Sequence, residues 1–184
     1  REHLALSGEG IAQIEKFIKE MLNFTRATEL QKAPFPVEQI VDESLKMMAD
    51  LLRERNIVIE KRLAGGLPEI VVDGDRLRQV LLNLLRNAAE AVGPGGRIVL
   101  SAEGAGGRRG RKLRICISDN GRGIPEKDWE NIFEPFFTTK SLGIGLGLSN
   151  ARKLVELHRG TIRVIRGDQP GTTFEIILPI GRES

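Results

Sequence analysis

The sequence predicts an α+β fold: a two-layer α/β sandwich in which helices cover one face of a mixed, mostly antiparallel sheet, preceded by a long helix. Three observations predict it. Apolar residues recur at helical spacing over 37–55, 75–92 and 149–158. Short apolar runs alternate with these helices, at Val58–Leu63, Glu69–Val72, Ile98–Glu103, Leu113–Ser118, Thr161–Ile165 and Thr172–Leu178. Turn residues separate the elements, most decisively at Gly93-Pro94-Gly95-Gly96.

The elements follow in order. From Gly10 to Leu30, Ile11, Ile14, Ile18, Met21 and Thr25 are spaced 3-4-3-4, the a/d seam of a coiled coil. Pro34 and Pro36 then break the chain, so this helix is expected to project and to bury its seam in a helical hairpin or a dimer. The boundary expected from this pattern divides residues 1–33 from a domain at 34–184. In the next helix Ile40, Val41, Leu45, Met48, Leu51 and Leu52 recur at helical spacing. Asp73 or Asp75 can cap the helix after it, whose stripe is Leu77, Val80, Leu81, Leu84, Leu85 and Ala88.

A hydrophobic content of 40% with 29% charged residues is ordinary for a soluble globular protein, and no apolar run approaches the ~20 residues of a membrane span. Cys116 is the sole cysteine, which excludes an internal disulfide and fits a reducing compartment. The sequence opens at Arg1 inside a helical pattern and reads as part of a longer protein. The net charge is +3, and the excess is local: Arg108, Arg109, Arg111, Lys112 and Arg114 crowd one glycine-rich stretch. This stretch reads as a solvated hairpin loop or as an RNA-binding tract. No aromatic residue is interleaved for base stacking, so no nucleic-acid partner is expected.

Three constellations carry chemistry. On the helix over 75–92, the flank opposite the apolar stripe carries Gln79, Asn83, Arg86, Asn87 and Glu90. Asn83 and Asn87 are i, i+4 neighbours, which reads as a wet surface or as amide oxygen offered to a hard cation. Ser118-Asp119-Asn120-Gly121-Arg122-Gly123 follows an apolar strand; it is a strand-ending turn, or a base pocket in which Asp119 accepts from an exocyclic amine. Phe133-Glu134-Pro135-Phe136-Phe137-Thr138-Thr139-Lys140, then Gly143-Ile144-Gly145-Leu146-Gly147-Leu148, reads as a flap over phosphates. Glycine lets backbone N–H groups approach an anion, a helix start favours one, and Lys140 adds a point charge.

These elements in this order resemble the ATP-binding domain of sensor histidine kinases, in the larger group with type II topoisomerase, Hsp90 and mismatch-repair ATPases. Asn83 to Ala91 is similar to the N box, Asp119 to Gly123 to the first glycine box, Phe133 to Lys140 to the F box and Gly143 to Leu148 to the second glycine box. The Thr-Thr-Lys ending of the F box resembles nitrogen-regulation-type kinases. The resemblance covers Val37 to Ile180 and implies the Bergerat-type ATP-binding fold. It also makes the preceding helix the second helix of a dimerisation and phosphoacceptor hairpin.

The resemblance implies that Asn87 binds Mg²⁺ and that Asp119 contacts adenine N6. It implies that Gly121 and Gly123 shape the base pocket, that Lys140 reaches the terminal phosphates, and that Gly143, Gly145, Leu146 and Gly147 cover them. Asn83 and Glu90 share the helix edge and would act through water. An amide at Asn83 stands where topoisomerase-type members carry a general-base carboxylate; it takes no proton, which disfavours ATP hydrolysis and suits transfer to a protein. The implied activity is transfer of the ATP γ-phosphoryl to a histidine on a helix outside this sequence, for relay to a response-regulator receiver domain. The implied cofactors are ATP and Mg²⁺, the parent a homodimer through its hairpin, and the location cytoplasmic. A nucleotide-sensing interaction module without kinase output is the alternative.

Two departures stand out. Ile144 replaces the Thr or Ser often found in this lid. Of two histidines, His3 lacks the following acidic residue of a phosphoacceptor motif, and His158 ends a helix, where a structural role is expected of a side chain that favours the C-terminal dipole as a cation. Trp129 reads as packing.

Overall fold

The computed structural model describes Met21 and residues 29–107, 110–140, 143–167 and 170–181. Most of the helix expected over 10–30, and with it the coiled-coil seam, lies outside the described residues, as do Arg108 and Arg109 of the basic loop.

The described chain runs β1 (Ala33–Pro36), α1 (Val37–Glu54), β2 (Val58–Leu63), β3 (Glu69–Val72), α2 (Gly74–Ala91), β4 (Arg97–Gly107), β5 (Gly110–Asp119), two short 3₁₀ turns (Glu126–Asp128 and Asn131–Phe133), α3 (Gly147–Leu157), β6 (Thr161–Ile165) and β7 (Thr173–Pro179). The main sheet has the order β2-β4-β5-β7-β6. Only β2–β4 is parallel, and the other pairs are antiparallel, so the sheet is mixed and mostly antiparallel as expected.

Strand alternation sets the two layers. Leu113, Ile115 and Ile117 point into the core, while Arg114 between them and Ser118 after them are only partly buried. The helices α1, α2 and α3 turn their stripes to the inward face: Ile40 and Val41 from α1, Leu77, Leu81, Leu84 and Leu85 from α2, Leu154 and Val155 from α3 share one core with Leu100, Ile115 and Ile176. The α2 stripe is buried because Leu77, Val80, Leu81 and Leu84 follow at i, i+3, i+4, i+7. Truncating one to alanine would cost about 2–5 kcal/mol. The outer sheet face is polar. On it Glu175, 3% exposed, accepts from Arg114 Nε at 2.7 Å and Arg163 Nε at 2.5 Å. Burial by itself raises the Glu175 carboxyl, but the two arginines outweigh it and hold the carboxyl below its ordinary range.

The proline pair does not simply break the chain. Ala33–Pro36 forms an edge strand antiparallel to β3, with Ala33 opposite Val72 and Pro36 opposite Glu69. Proline is tolerated there because an edge strand leaves one row of N–H groups unused. The hairpin expected around the basic stretch is present: Gly107 pairs with Gly110, and the two strands run further than the apolar pattern indicated.

A buried junction ties the start of α2 to the end of α3. Asp73 caps α2, accepting from the Arg76 N–H at 3.1 Å, and its other oxygen accepts from the Gln31 N–H at 3.0 Å. The Asp73 N–H donates to His158 Nε2 at 3.0 Å, while His158 Nδ1 lies 2.7 Å from the Leu154 carbonyl. One nitrogen must accept and the other donate, so the ring is neutral with its proton on Nδ1. Burial lowers its pKa. His158 is structural, as expected, but it does not act as a dipole-matched cation.

Candidate functional site

The sheet and helices leave a cavity of about 500 Å³ between α2, the end of β5, β7 and the segments over 137–140 and 143–148. Its walls come from all three constellations: Asn83, Asn87 and Glu90 from α2, Asp119 and Gly123 from the turn after β5, Thr138, Lys140 and Gly143 from the flap. Gly145 and Gly147 also line it, and so does Ile144. Gly121 and Leu146 do not. Gly121 packs on α2, and Leu146 is 2% exposed and turned to a smaller groove between α2 and α3.

One end of the cavity is built on Asp119. Its antiparallel partner strand places the Asp119 N–H on the Thr172 carbonyl at 2.9 Å. Its Oδ1 accepts from the Gly121 N–H at 2.9 Å and the Thr172 N–H at 3.3 Å. Asp119 is 6% exposed, and burial raises its carboxyl pKa above 3.8, partly offset by those two N–H donors. Glycine is required around it. A Cβ on Gly121 would lie 2.5 Å from the Ala91 carbonyl, and one on Gly171 would overlap the Asp119 carbonyl oxygen at a φ of +123°. The arrangement leaves Asp119 Oδ2 without a protein donor among the described residues, so this end offers a buried acceptor to an amine.

The other end is built on side chains. Lys140 Nζ donates to Asn87 Oδ1 at 2.9 Å and to Glu90 Oε2. Two hard oxygens one helical turn apart thus converge on a cation, which is the donor chemistry that Mg²⁺ takes. Among the described residues no three His, Cys, Asp or Glu side chains converge as a metal cage, so a divalent ion here would draw its remaining ligands from water and phosphate. Asn83 sits against Gly147 at the start of α3, where a Cβ would press on Asn83 Oδ1; its buried Nδ2 has no hydrogen-bond partner among the described residues.

The flap is held by turns. The Phe136 N–H donates to the Gly145 carbonyl at 3.0 Å, and the Gly143 N–H to the Lys140 carbonyl at 3.2 Å. Gly145 has φ +76°, and its missing Cβ is what allows Phe136 and Phe137 to cross it. Phe136 is itself left-handed at φ +69° and 55% exposed. Trp129 packs as expected and donates from Nε1 to the Ile124 carbonyl at 2.9 Å.

Sequence reasoning missed Gly171, Thr172 and Phe174. They reach the site because β7 pairs with β5, Thr173 opposite Ser118. The local signal was the Gly171-Thr172-Thr173-Phe174 run, a glycine opening an apolar strand. Arg86, which the sequence shows as part of the polar helix flank, also lines the cavity.

Residues 72–182 match the family described as Histidine kinase-, DNA gyrase B-, and HSP90-like ATPase. The chain is 35% identical over 168 residues to the sensor histidine kinase ZraS of Escherichia coli (strain K12), a match covering 91% of this chain and 35% of ZraS. It therefore spans about a third of the length of that relative. Among solved structures it resembles full-length ShkA in complex with AMPPNP, with a TM-score of 0.83 and 26% identity over all of this chain and 39% of that one. It also resembles the histidine kinase ThkA in complex with the response regulator TrrA, at a TM-score of 0.82 and 28% identity, covering 98% of this chain and 51% of that one.

Proposed function

This chain belongs to the histidine kinase-, DNA gyrase B- and HSP90-like ATPase family, and on that premise we propose that it is the ATP-binding catalytic region of a sensor histidine kinase, moving the γ-phosphoryl of ATP to a histidine of its parent protein for relay to a response-regulator receiver domain. The observation that carries the reading is one cavity with a buried carboxylate at one end and a cation-binding pair of oxygens under a glycine lid at the other.

Asp119 accepts from the adenine amine, and the Gly121 and Thr172 N–H groups hold the carboxylate in place for it. Asn87, with Glu90 beside it, would hold Mg²⁺, which would neutralise phosphate charge. Lys140 swings from Glu90 to the terminal phosphates, and the backbone of Gly145 and Gly147, which line the cavity, covers them. Little covalent chemistry falls to these residues; they orient the phosphoryl group and stabilise its charge. Asn83 is an amide and cannot take a proton, so it does not activate water as a general base would. Closure of the lid then protects the phosphoryl group from hydrolysis.

His158 does not serve as the acceptor, being 4% exposed with both ring nitrogens engaged. The acceptor on this reading is a histidine on the parent's helical hairpin, through which the parent dimerises, and the need for ATP supports a cytoplasmic location for this region. The test is incubation with γ-labelled ATP, with and without a separately supplied hairpin carrying that histidine. Label is expected only on the hairpin, and Asn87→Asp and Asp119→Ala are each expected to abolish it. Nucleotide binding with no transfer under any condition would leave an interaction module instead.

A further inference from the structure

Arg86 is exposed on the flank that carries Asn83, Asn87 and Glu90, and it lines both the nucleotide cavity and the groove of about 230 Å³ between α2 and α3. The helix supplies a ruler. Ala91 marks the base end, since its carbonyl packs on Gly121 beside Asp119. At 1.5 Å per residue, Asn87 lies about 6 Å from Ala91 along the axis and Asn83 about 12 Å. Asn83 touches Gly147 at the lid's far edge, so the terminal phosphate belongs at that end. Helical side chains lean toward the N-terminus, which carries the Arg86 guanidinium from the metal-binding level toward Asn83.

Charge points the same way. The cavity is lined by three cationic side chains, Arg86, Arg122 and Lys140. Lys140 is engaged by Asn87 and Glu90, and Arg122 flanks Gly121 at the base end. No ion pair or side-chain hydrogen bond joins Arg86 to another described residue. A guanidinium is a planar fork that matches two phosphate oxygens, and it stays charged at any working pH.

We propose that Arg86 grips the terminal phosphate from the helix side, opposite Lys140, and makes the site prefer a nucleoside triphosphate to a diphosphate. The inference rests on the ATP-site reading above. It gives the donor site a way to release ADP after transfer, because the contact disappears with the phosphoryl group.

The test is a calorimetric titration of the chain, Arg86→Ala and Arg86→Lys with ADP and with a non-hydrolysable ATP analogue, all with Mg²⁺. Loss of a charged phosphate contact should weaken the analogue about tenfold in Arg86→Ala. ADP affinity should stay within about twofold, which also reports an intact fold, and Arg86→Lys should fall between. An arginine that merely decorates the surface would shift both nucleotides equally or neither, and either result overturns the proposal while leaving the ATP site standing. Failure of the unaltered chain to bind either nucleotide would sink the ATP-site reading and this inference with it.

Discussion

The two ends of the cavity are built differently. At the base end, Asp119 is 6% exposed, locked by N–H groups of Gly121 and Thr172, and surrounded by glycines whose missing Cβ atoms let three backbones meet. At the phosphate end, the Lys140 and Glu90 side chains are 39% and 37% exposed and hold each other across 50 residues of sequence. The first end is set by sheet hydrogen bonds before any ligand arrives. The second is set by long side chains whose partners a ligand can replace. On the proposed reading such a site would hold the base rigidly and reorganise around the phosphates.

The largest effect should come from the rigid end. Gly171→Ala forces a Cβ into the Asp119 carbonyl at a φ that L residues rarely adopt, and is expected to cost about 3 kcal/mol or more of stability, read by denaturant unfolding. If the variant unfolds at the parental midpoint, the base end is not the fixed frame described here. Lys140→Ala should leave the fold intact and weaken an ATP analogue by about fivefold, since its present ion pair is half exposed. An equal loss for adenosine, measured in parallel, would mean that Lys140 supports the base end and that the two ends are not separate.

The smallest effect is a pH dependence at the Asp73–His158 junction. The folded His158 pKa is lowered from 6.5 by burial. Below 6.5 the unfolded chain takes up a proton that the folded chain refuses, so this contribution to stability is whole above that pH and is lost as pH falls toward the folded value. Thermal midpoints of the chain should therefore drop between pH 7.5 and 5.5, and His158→Gln should flatten that slope.

Much of this was legible in the sequence, for local reasons. Val58–Leu63 and Glu69–Val72 carry β-branched residues bounded by turns, and both strands have the expected limits. The α2 stripe put Asn83, Asn87 and Glu90 on one flank, and they do line one cavity. What escaped was non-local. Pro34 and Pro36 signal a break until β3 supplies an edge to pair with. Thr172 becomes part of the base end only because β7 lies beside β5. The bond of Lys140 to Asn87 spans 53 residues and has no trace in either segment.

The β1–β3 ribbon also bears on how the domain can be cut from its parent. Gln31 is fastened to Asp73, and Phe35 lies over Gly74 where a Cβ would come within 2.9 Å of its ring. An excised domain beginning at Val37 would strip β3 of its neighbour, bare an unpaired strand edge, and remove the Gln31 N–H that holds the second oxygen of Asp73, the cap of the helix that carries Asn87. The boundary for expression or for chimeras with another module therefore belongs upstream of Gln31, with the proline strand kept as part of the domain.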